Sequence, residues 1–165
     1  MDLKEKINIL VLMGVSGVGK TYLGQKISDF YNVPFYDGDD FHPKANVEKM
    51  SSGHPLDDED RWPWLEDLNQ HMQKQTTSCV YACSALKEKY RSILSKNIES
   101  KIKFIFLNGS PEFINERLSK RKNHFMPPGL LKSQFDTLEN PENAIEIDVS
   151  QNEEEILKML HRFFN

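Results

Sequence analysis

The feature that most constrains the fold is a glycine-rich motif near the N-terminus, which fits the pattern G-x-x-x-x-G-K-[ST] at every fixed position. An apolar run, Ile7–Met13, precedes it, and a segment with helically spaced apolar residues follows it. In such a unit the glycines let backbone N–H groups approach a polyphosphate, and the helix N-terminus faces the same anion. A phosphate-binding loop (P-loop) is therefore predicted, formed by Gly14, Val15, Ser16, Gly17, Val18, Gly19, Lys20 and Thr21.

Two side chains of this loop are predicted to act on a nucleotide. By the general logic of the motif, Lys20 reaches the β- and γ-phosphates, and the Thr21 hydroxyl binds Mg²⁺. The alternative is a chance glycine turn between a strand and a helix. It is disfavoured because the motif and its strand–loop–helix setting agree.

Length and composition favour one globular domain, residues 1–165, because 165 residues lie within the usual size of a single domain. The formal net charge of -4 is unlike that of a basic nucleic-acid binder. No apolar run approaches the roughly 20 residues of a membrane span, and the charged N-terminus lacks a signal peptide. We therefore expect a cytoplasmic protein without nucleic-acid or membrane partners, and we expect its two cysteines, Cys79 and Cys83, to be buried thiols.

Five strand-like runs alternate with helix-like segments, a pattern typical of an α/β domain with a mainly parallel sheet. The first, third and fourth runs are nearly continuous in apolar residues, as in strands covered on both faces. The last run alternates, so it is expected at an edge of the sheet. The five runs are Ile7–Met13, Val33–Asp37, Cys79–Ser84, Lys103–Leu107 and Ala144–Val149.

A long insertion, residues about 39–77, separates the second and third strands and carries its own helical signals. Leu65, Leu68 and Met72 have helical spacing, and the acidic residues before them suit a helix's first turn. Trp62 and Trp64 are expected to pack against other side chains, with ligand contact as the alternative.

An acidic corner, Asp37-Gly38-Asp39-Asp40, follows the second strand at the carboxyl edge of the sheet, where open α/β folds bind ligands. A carboxylate there can accept a proton from a substrate hydroxyl or join a Mg²⁺ shell; the alternative is an acidic surface turn. No strand ends in the hydrophobic-run-plus-Asp of a Walker B motif, so more of this work is expected of Asp37 and Asp39.

A basic cluster, Arg117–Lys122, follows the fourth strand. Ser110 and Pro111 predict the start of a helix that runs through Arg121 and places Arg117 and Arg121 on one face. A solvated helix face is the alternative. After a P-loop, however, this is where small-molecule kinases keep a mobile lid whose arginines close over phosphates, so a lid is predicted at about residues 117–135.

Six segments together resemble the gluconokinase family of small P-loop kinases, and they span nearly the whole chain in the family's order. They are GVSGVGKT at 14–21, DGDDFHPKANVEKM at 37–50, GHPLDDEDRWPWL at 53–65, CSALKEKYR at 83–91, RLSKRKNHFMPP at 117–128 and SQFDTLENP at 133–141. The resemblance implies a nucleoside-monophosphate-kinase-like core, with a five-stranded parallel sheet of order 2-3-1-4-5 flanked by helices. It also implies transfer of the γ-phosphoryl group of ATP, with Mg²⁺, to the 6-hydroxyl of D-gluconate.

Site residues are implied by the same resemblance. Gly14–Thr21 would bind ATP and Mg²⁺, Asp39 would lie beside the sugar hydroxyl, and Arg117 and Arg121 of the lid would bind the nucleotide. The catalytic groups would be Lys20, Asp39 and Arg121. The polyol acid would be surrounded by His42, Asn46, Arg61, Lys87 and His124. Family members are often dimers, which extends the expectation to a homodimer.

Two other functions remain as alternatives. One is a shikimate-like or nucleotide kinase on the same core, against which the insertion from His42 to Trp64 argues. The other is a non-catalytic nucleotide-binding module. The chain lacks the base-reading signature of GTPase switches, and an acceptor corner has no use in a mere binder.

Overall fold

The computed structural model describes residues 6–120 and 128–162, which form a five-stranded parallel sheet with the strand order β2-β3-β1-β4-β5. The strands are β1 (Ile9–Met13), β2 (Phe35–Asp37), β3 (Cys79–Ala82), β4 (Ile102–Asn108) and β5 (Ile145–Asp148). Every neighbouring pair is parallel; Leu12 of β1, for example, lies opposite Ala82 on one side and Ile105 on the other. The predicted fold class and strand order are confirmed.

Helices connect and cover the strands. They are α1 (Lys20–Tyr31), α2 (Lys44–Ser51), α3 (Asp58–Gln73), α4 (Glu88–Ser95), α5 (Pro111–Ser119), α6 (Pro128–Thr137) and α7 (Glu153–His161), and a 3-10 helix spans Gly38–Phe41. The predicted insertion contains the 3-10 helix, α2 and α3. No helix in the described part of the chain is both long and apolar enough to cross a bilayer.

The core lies around the central strands, as the apolar runs predicted. Every residue of β1 and β3 is buried, whereas β5, at the end of the strand order, buries only Ile147. Cys79 in β3 and Cys83 just after it are buried free thiols, and burial raises the pKa of each to about 12. These two predictions, an edge position for the last strand and buried cysteines, are confirmed.

Helix starts follow the capping residues in the sequence. The Ser110 hydroxyl accepts from the backbone N–H of Phe113 at 3.1 Å, and Pro111 is the first residue of α5. Asp57 and Asp60 form a reciprocal capping box at the start of α3, so the acidic residues there fix the helix terminus as well as favouring its dipole.

One helix prediction differs from the structure. The helix expected to run through Arg121 ends at Ser119, because the N–H of Lys120 turns back to the carbonyl of Leu118; Arg121 itself lies outside the described residues. In α1, the helically spaced Leu23 and Ile27 are buried, whereas Phe30 is 70% exposed. Phe30 therefore lies off the buried face of α1.

Gly24 in the middle of α1 gives a test of packing against helix propensity. Replacing glycine by alanine in a helix interior gains about 1 kcal/mol, but a Cβ on Gly24 would lie 2.5 Å from the Phe35 ring. We expect Gly24→Ala to destabilise the protein by about 1–2 kcal/mol in urea unfolding, because overpacking outweighs propensity. The control Gln25→Ala, at the exposed neighbouring position, should leave stability nearly unchanged. In the Gly24→Ala background, Phe35→Leu should restore part of the lost stability because it removes the ring that the new Cβ meets. A more stable Gly24→Ala variant would contradict this account.

Candidate active site

The P-loop joins β1 to α1 and owes its path to three glycines with positive φ: Gly14 at 144°, Gly17 at 88° and Gly19 at 99°. At Gly14 a Cβ would lie only 2.6 Å from the Leu107 carbonyl oxygen at the end of β4, so the position has no room for a side chain. Val15 and Val18 are buried in the hydrophobic core and anchor the loop there. The predicted strand–loop–helix setting is confirmed.

Lys20 and Thr21, the first two residues of α1, lie on either side of the loop's polar surface. The Lys20 ammonium donates to the carbonyl oxygens of Gly14 and Val15, both at 2.8 Å, so its charge lies across the loop. The Thr21 hydroxyl donates to Oδ2 of Asp37 at 3.2 Å. This bond links the phosphate-binding helix to the acidic corner after β2.

The corner is built around Asp37 and Gly38. Oδ1 of Asp37 accepts from the backbone N–H of Asp39 at 3.0 Å, so both oxygens of the Asp37 carboxylate are used. Gly38 does not have positive φ; it is required because a Cβ there would lie 2.6 Å from the Ala82 carbonyl oxygen in β3. The Asp39 side chain is 83% exposed, with Oδ1 at 3.8 Å from Nε2 of His42.

The donors beside the P-loop suit Mg²⁺. The Thr21 hydroxyl and the Asp37 carboxylate are hard oxygen ligands lying 3.2 Å apart, and Mg²⁺ in phosphoryl-transfer sites uses one or two such groups with phosphate oxygens and waters. Among residues 6–120 and 128–162, no group of three or more His, Cys, Asp or Glu side chains is arranged to hold a metal ion. Phosphate oxygens and waters would complete the coordination shell.

The side chain of His42 is held in one orientation by its neighbours. Its ring stacks on Trp64 with centroids 4.0 Å apart, and the Trp64 indole N–H donates to the Gly38 carbonyl at 2.7 Å. Nδ1 lies 3.2 Å from the amide nitrogen of Asn46, which also donates to the Asp60 carbonyl at 2.8 Å. Because that nitrogen only donates, Nδ1 accepts, and neutral His42 carries its proton on Nε2, toward Asp39.

A network of charges and hydroxyls centres on Asp58, the first residue of α3. Its carboxylate accepts from Lys87 at 3.1 Å, pairs with Lys89 and accepts from the Tyr90 hydroxyl. The hydrogen bonds from Lys89 and Tyr90 hold the pKa of Asp58 well below its usual range. Burial, and then the bond to Asp58, raise the pKa of Tyr90 to about 12.

Arg61 lies at the other side of Tyr90. Its Nη1 donates to the Tyr90 hydroxyl at 2.9 Å, and its guanidinium carbon lies 5.3 Å from the centre of the Tyr90 ring. Within the described part of the chain no carboxylate forms an ion pair with Arg61, whereas Lys87 is paired with Asp58. Arg61 therefore offers a cation to an outside anion, with its orientation already set.

The predicted residues thus fall into three groups. The P-loop, Arg117 and Asp39 surround the carboxyl edge of the sheet; Nη1 of Arg117 lies 3.5 Å from the Val18 carbonyl. His42, Arg61 and Lys87 line the insertion side, with Asn46 only 4% exposed and committed to supporting His42. Arg121 and His124 lie outside the described residues.

Four residues that hold segments of the site in place were not predicted from the sequence. They are Asp58 and Tyr90, described above, Gln134, which accepts from the Ser16 N–H, and Arg91, which donates to the Glu139 carbonyl. The position of Asp58 predicts only an acid in a helix's first turn, because its contacts with Lys87, Lys89 and Tyr90 depend on α4 packing beside α3. Tyr90 and Arg91 belong to the segment CSALKEKYR, and Gln134 to SQFDTLENP. Both segments carried the family resemblance, which was the one available signal that these side chains matter.

A parallel sheet of this order, with a P-loop after its central strand and an acidic corner after β2, defines a P-loop kinase. Comparison with known proteins agrees, because a family model described as shikimate kinase matches residues 16–157. A solved shikimate kinase from Aquifex aeolicus, at 18% identity and a TM-score of 0.62, shares the fold.

More similar relatives narrow the class. The thermosensitive gluconokinase of Escherichia coli (strain K12) is 46% identical over 147 residues, covering 85% of this chain and 78% of that protein. The gluconokinase of Gluconobacter oxydans (strain 621H) is 40% identical over 165 residues, covering 96% and 92%. The crystal structure of a gluconokinase from Sinorhizobium meliloti 1021 matches with a TM-score of 0.87 and 39% identity, covering 96% of this chain and 94% of that one. The chain belongs to the gluconokinase family.

The buried position of His42 predicts a pH-dependent stability. Burial, and then the charge of Arg61, lower the pKa of His42 from 6.5 to about 4. As the pH falls below 6.5, His42 takes up a proton in the unfolded chain, whereas in the folded protein it does so only near pH 4. The free energy of unfolding therefore decreases as the pH is lowered from about 6.5 to about 4. Wild type should lose about 2 kcal/mol more than His42→Gln between pH 7 and pH 5.

Urea unfolding at the two pH values measures this difference. His54→Gln, on the exposed surface of the insertion, is the matched control and should lose stability as wild type does. Identical losses in wild type and His42→Gln would mean that His42 takes up its proton equally well in the folded protein.

Proposed function

We propose that this protein transfers the γ-phosphoryl group of ATP to the 6-hydroxyl of D-gluconate and produces 6-phospho-D-gluconate. The observation that carries the proposal is that a phosphate-binding loop and a carboxylate corner share one sheet edge, joined by the 3.2 Å contact of Thr21 with Asp37. The names of the relatives support gluconate as the acceptor. Work in the cytoplasm and a homodimeric state remain predictions.

On the donor side, the N–H groups of the P-loop and the N-terminus of α1 would receive the phosphates. Lys20 would move its ammonium from the loop carbonyls to the β- and γ-phosphates, where it offsets the charge of the transferring group. Arg117, beside Val18, would add a second cation. Thr21 and Asp37 would hold Mg²⁺, which supplies charge neutralisation for the phosphates.

On the acceptor side, Asp39 would orient the 6-hydroxyl and take its proton. The hydroxyl oxygen forms a bond to the γ-phosphorus as the bond to the β–γ bridging oxygen breaks, and ADP leaves. Asp39 suits this task because its side chain is 83% exposed at the corner, whereas the Asp37 carboxylate faces Thr21 beside the P-loop and is assigned to Mg²⁺. Nε2 of His42, 3.8 Å from Oδ1 of Asp39, would help to orient that carboxylate.

Recognition of a sugar acid would rest on Arg61. A carboxylate needs a cation with directed donors, and Arg61 is held by Tyr90 without a carboxylate of its own among the described residues. Lys87 would contribute through the network centred on Asp58. Arg121 and His124 keep their predicted roles over the phosphates and the polyol acid.

The substrate assignment predicts that ATP turnover depends on D-gluconate. Wild-type protein with ATP and Mg²⁺ should release ADP quickly with gluconate and slowly with shikimate, gluconolactone or nucleoside monophosphates. Gluconate offers a carboxylate to Arg61 and a terminal hydroxyl to Asp39 at the two ends of one open chain, whereas shikimate holds these groups on a ring and gluconolactone has no free carboxylate. ADP release and chromatography of the phosphorylated product measure this. Faster turnover with a nucleotide acceptor would identify a nucleotide kinase, and slow turnover indifferent to every acceptor would identify a nucleotide-binding module.

The corner predicts different effects for its three carboxylates. Asp39→Asn should lower kcat by roughly 10²–10⁴-fold with nucleotide binding retained, which is the usual contribution of a general base. Asp37→Asn should instead raise the Mg²⁺ concentration needed for half-maximal rate, and Asp40→Asn should have little effect. Steady-state kinetics at varied Mg²⁺ measure this, with thermal melts as controls. Near wild-type turnover by Asp39→Asn beside an inactive Asp37→Asn would move the base to Asp37.

A further inference from the structure

Gln134 of α6 contacts the P-loop with both ends of its side-chain amide. Its Oε1 accepts from the backbone N–H of Ser16 at 2.7 Å, and its Nε2 donates to the Ser16 hydroxyl at 3.1 Å. The two residues are 118 positions apart in the chain. Two bonds from one planar amide fix both the distance and the orientation of the peptide before Ser16.

Gln134 can fix the loop because α6 is itself fixed at its C-terminal end. After α6, the N–H of Glu139 donates to the Leu86 carbonyl at 2.8 Å, and its carboxylate accepts from the N–H of Glu88 at 2.9 Å. Arg91, only 4% exposed, donates to the Glu139 carbonyl at 3.0 Å. A continuous set of hydrogen bonds therefore runs from the start of α4, next to Lys87, through α6 to the P-loop.

The direction of the Ser16 peptide N–H is not fixed by the loop's own residues. Ser16 lies between Gly14 and Gly17, whose positive φ angles come from residues with wide conformational freedom. The two buried valines hold the loop's apolar side, but they do not fix the direction of a peptide N–H. The Gln134 amide supplies that direction and satisfies the Ser16 N–H, which leaves the phosphates to the following N–H groups.

We propose that Gln134 is a positioning residue for phosphoryl transfer. It acts through Ser16, by holding the first half of the P-loop in the conformation that receives the nucleotide, and it ties that loop to the segment that carries Lys87. The turnover part of this inference rests on the proposed gluconokinase reaction. The nucleotide-binding part does not.

Gln134→Met tests the inference, because methionine has a similar length and shape but makes no such pair of hydrogen bonds. We expect the dissociation constant for ATP to rise about tenfold and kcat/KM for ATP to fall about 10–100-fold, while KM for gluconate changes less than about twofold. Asp136→Asn is the matched control on the same helix, since Asp136 is exposed, lies outside the predicted lid and pairs with Lys132. It should behave as wild type.

Ser16→Ala distinguishes positioning through Ser16 from a general structural role. It removes the hydroxyl contact and keeps the N–H contact, so a loss of about threefold in kcat/KM for ATP is expected. The double variant Ser16→Ala/Gln134→Met should lose no more than Gln134→Met alone, since the two groups act as one pair. If the losses of the two single variants multiplied in the double variant, the pairing would be overturned. Should Gln134→Met fold poorly, Gln134→Asn replaces it in the same comparison.

Calorimetric titration with ATP, steady-state kinetics and thermal melts together separate the outcomes. A Gln134→Met protein with wild-type ATP affinity and kcat/KM would overturn the inference. A Gln134→Met protein with a lowered melting temperature but an unchanged KM for ATP would overturn it too, because Gln134 would then serve stability alone. If wild-type protein failed to phosphorylate gluconate, the proposed function would fall, whereas the ATP titrations would still decide the role of Gln134.

Discussion

The close approach of backbones at the carboxyl edge of the sheet is the constraint on which the rest of the site depends. Gly14 passes against the Leu107 carbonyl and Gly38 against the Ala82 carbonyl, each at a distance that leaves no space for a Cβ. The contact of Gly14 with β4 sets the position of the P-loop, and the contact of Gly38 with β3 sets the position of the acidic corner. The contact of Thr21 with Asp37 then follows from the sheet rather than from flexible side chains.

Charge in the site is arranged by pairing some groups and leaving others available. Asp58 engages both Lys87 and Lys89, Asn46 and Trp64 hold a neutral His42, and Arg61 keeps its charge near Tyr90 without an ion-pair partner among the described residues. Pairing lowers the cost of keeping lysines and carboxylates close together, and it leaves the Arg61 guanidinium available to an anion from outside. A set of polar and charged side chains of this kind favours a polar, charged acceptor over an apolar one.

Much of the fold can be predicted from short stretches of sequence. Contiguous residues encode the P-loop, the helix caps at Ser110 and Asp57, and the apolar central strands. The strand order came from the family resemblance and not from the pattern of strands. Contacts such as Gln134 with Ser16 or Asp58 with Lys87 join distant segments, so no spacing rule predicts them. Phe30 shows the same limit: helical spacing identifies a stripe, but only the packed sheet decides where the stripe ends.

The all-parallel topology also determines when this site can form as the chain is made. Ile9 of the central strand pairs with Cys79 on one side and Ile102 on the other, and within residues 6–120 and 128–162 no two sequence-adjacent strands form a hairpin. The P-loop is synthesised early, yet its backing strand lacks both neighbours until β4 has emerged. Non-local pairing of this kind slows folding and leaves apolar strands exposed for longer, so the earliest part of the site to be synthesised is among the last to acquire its structure.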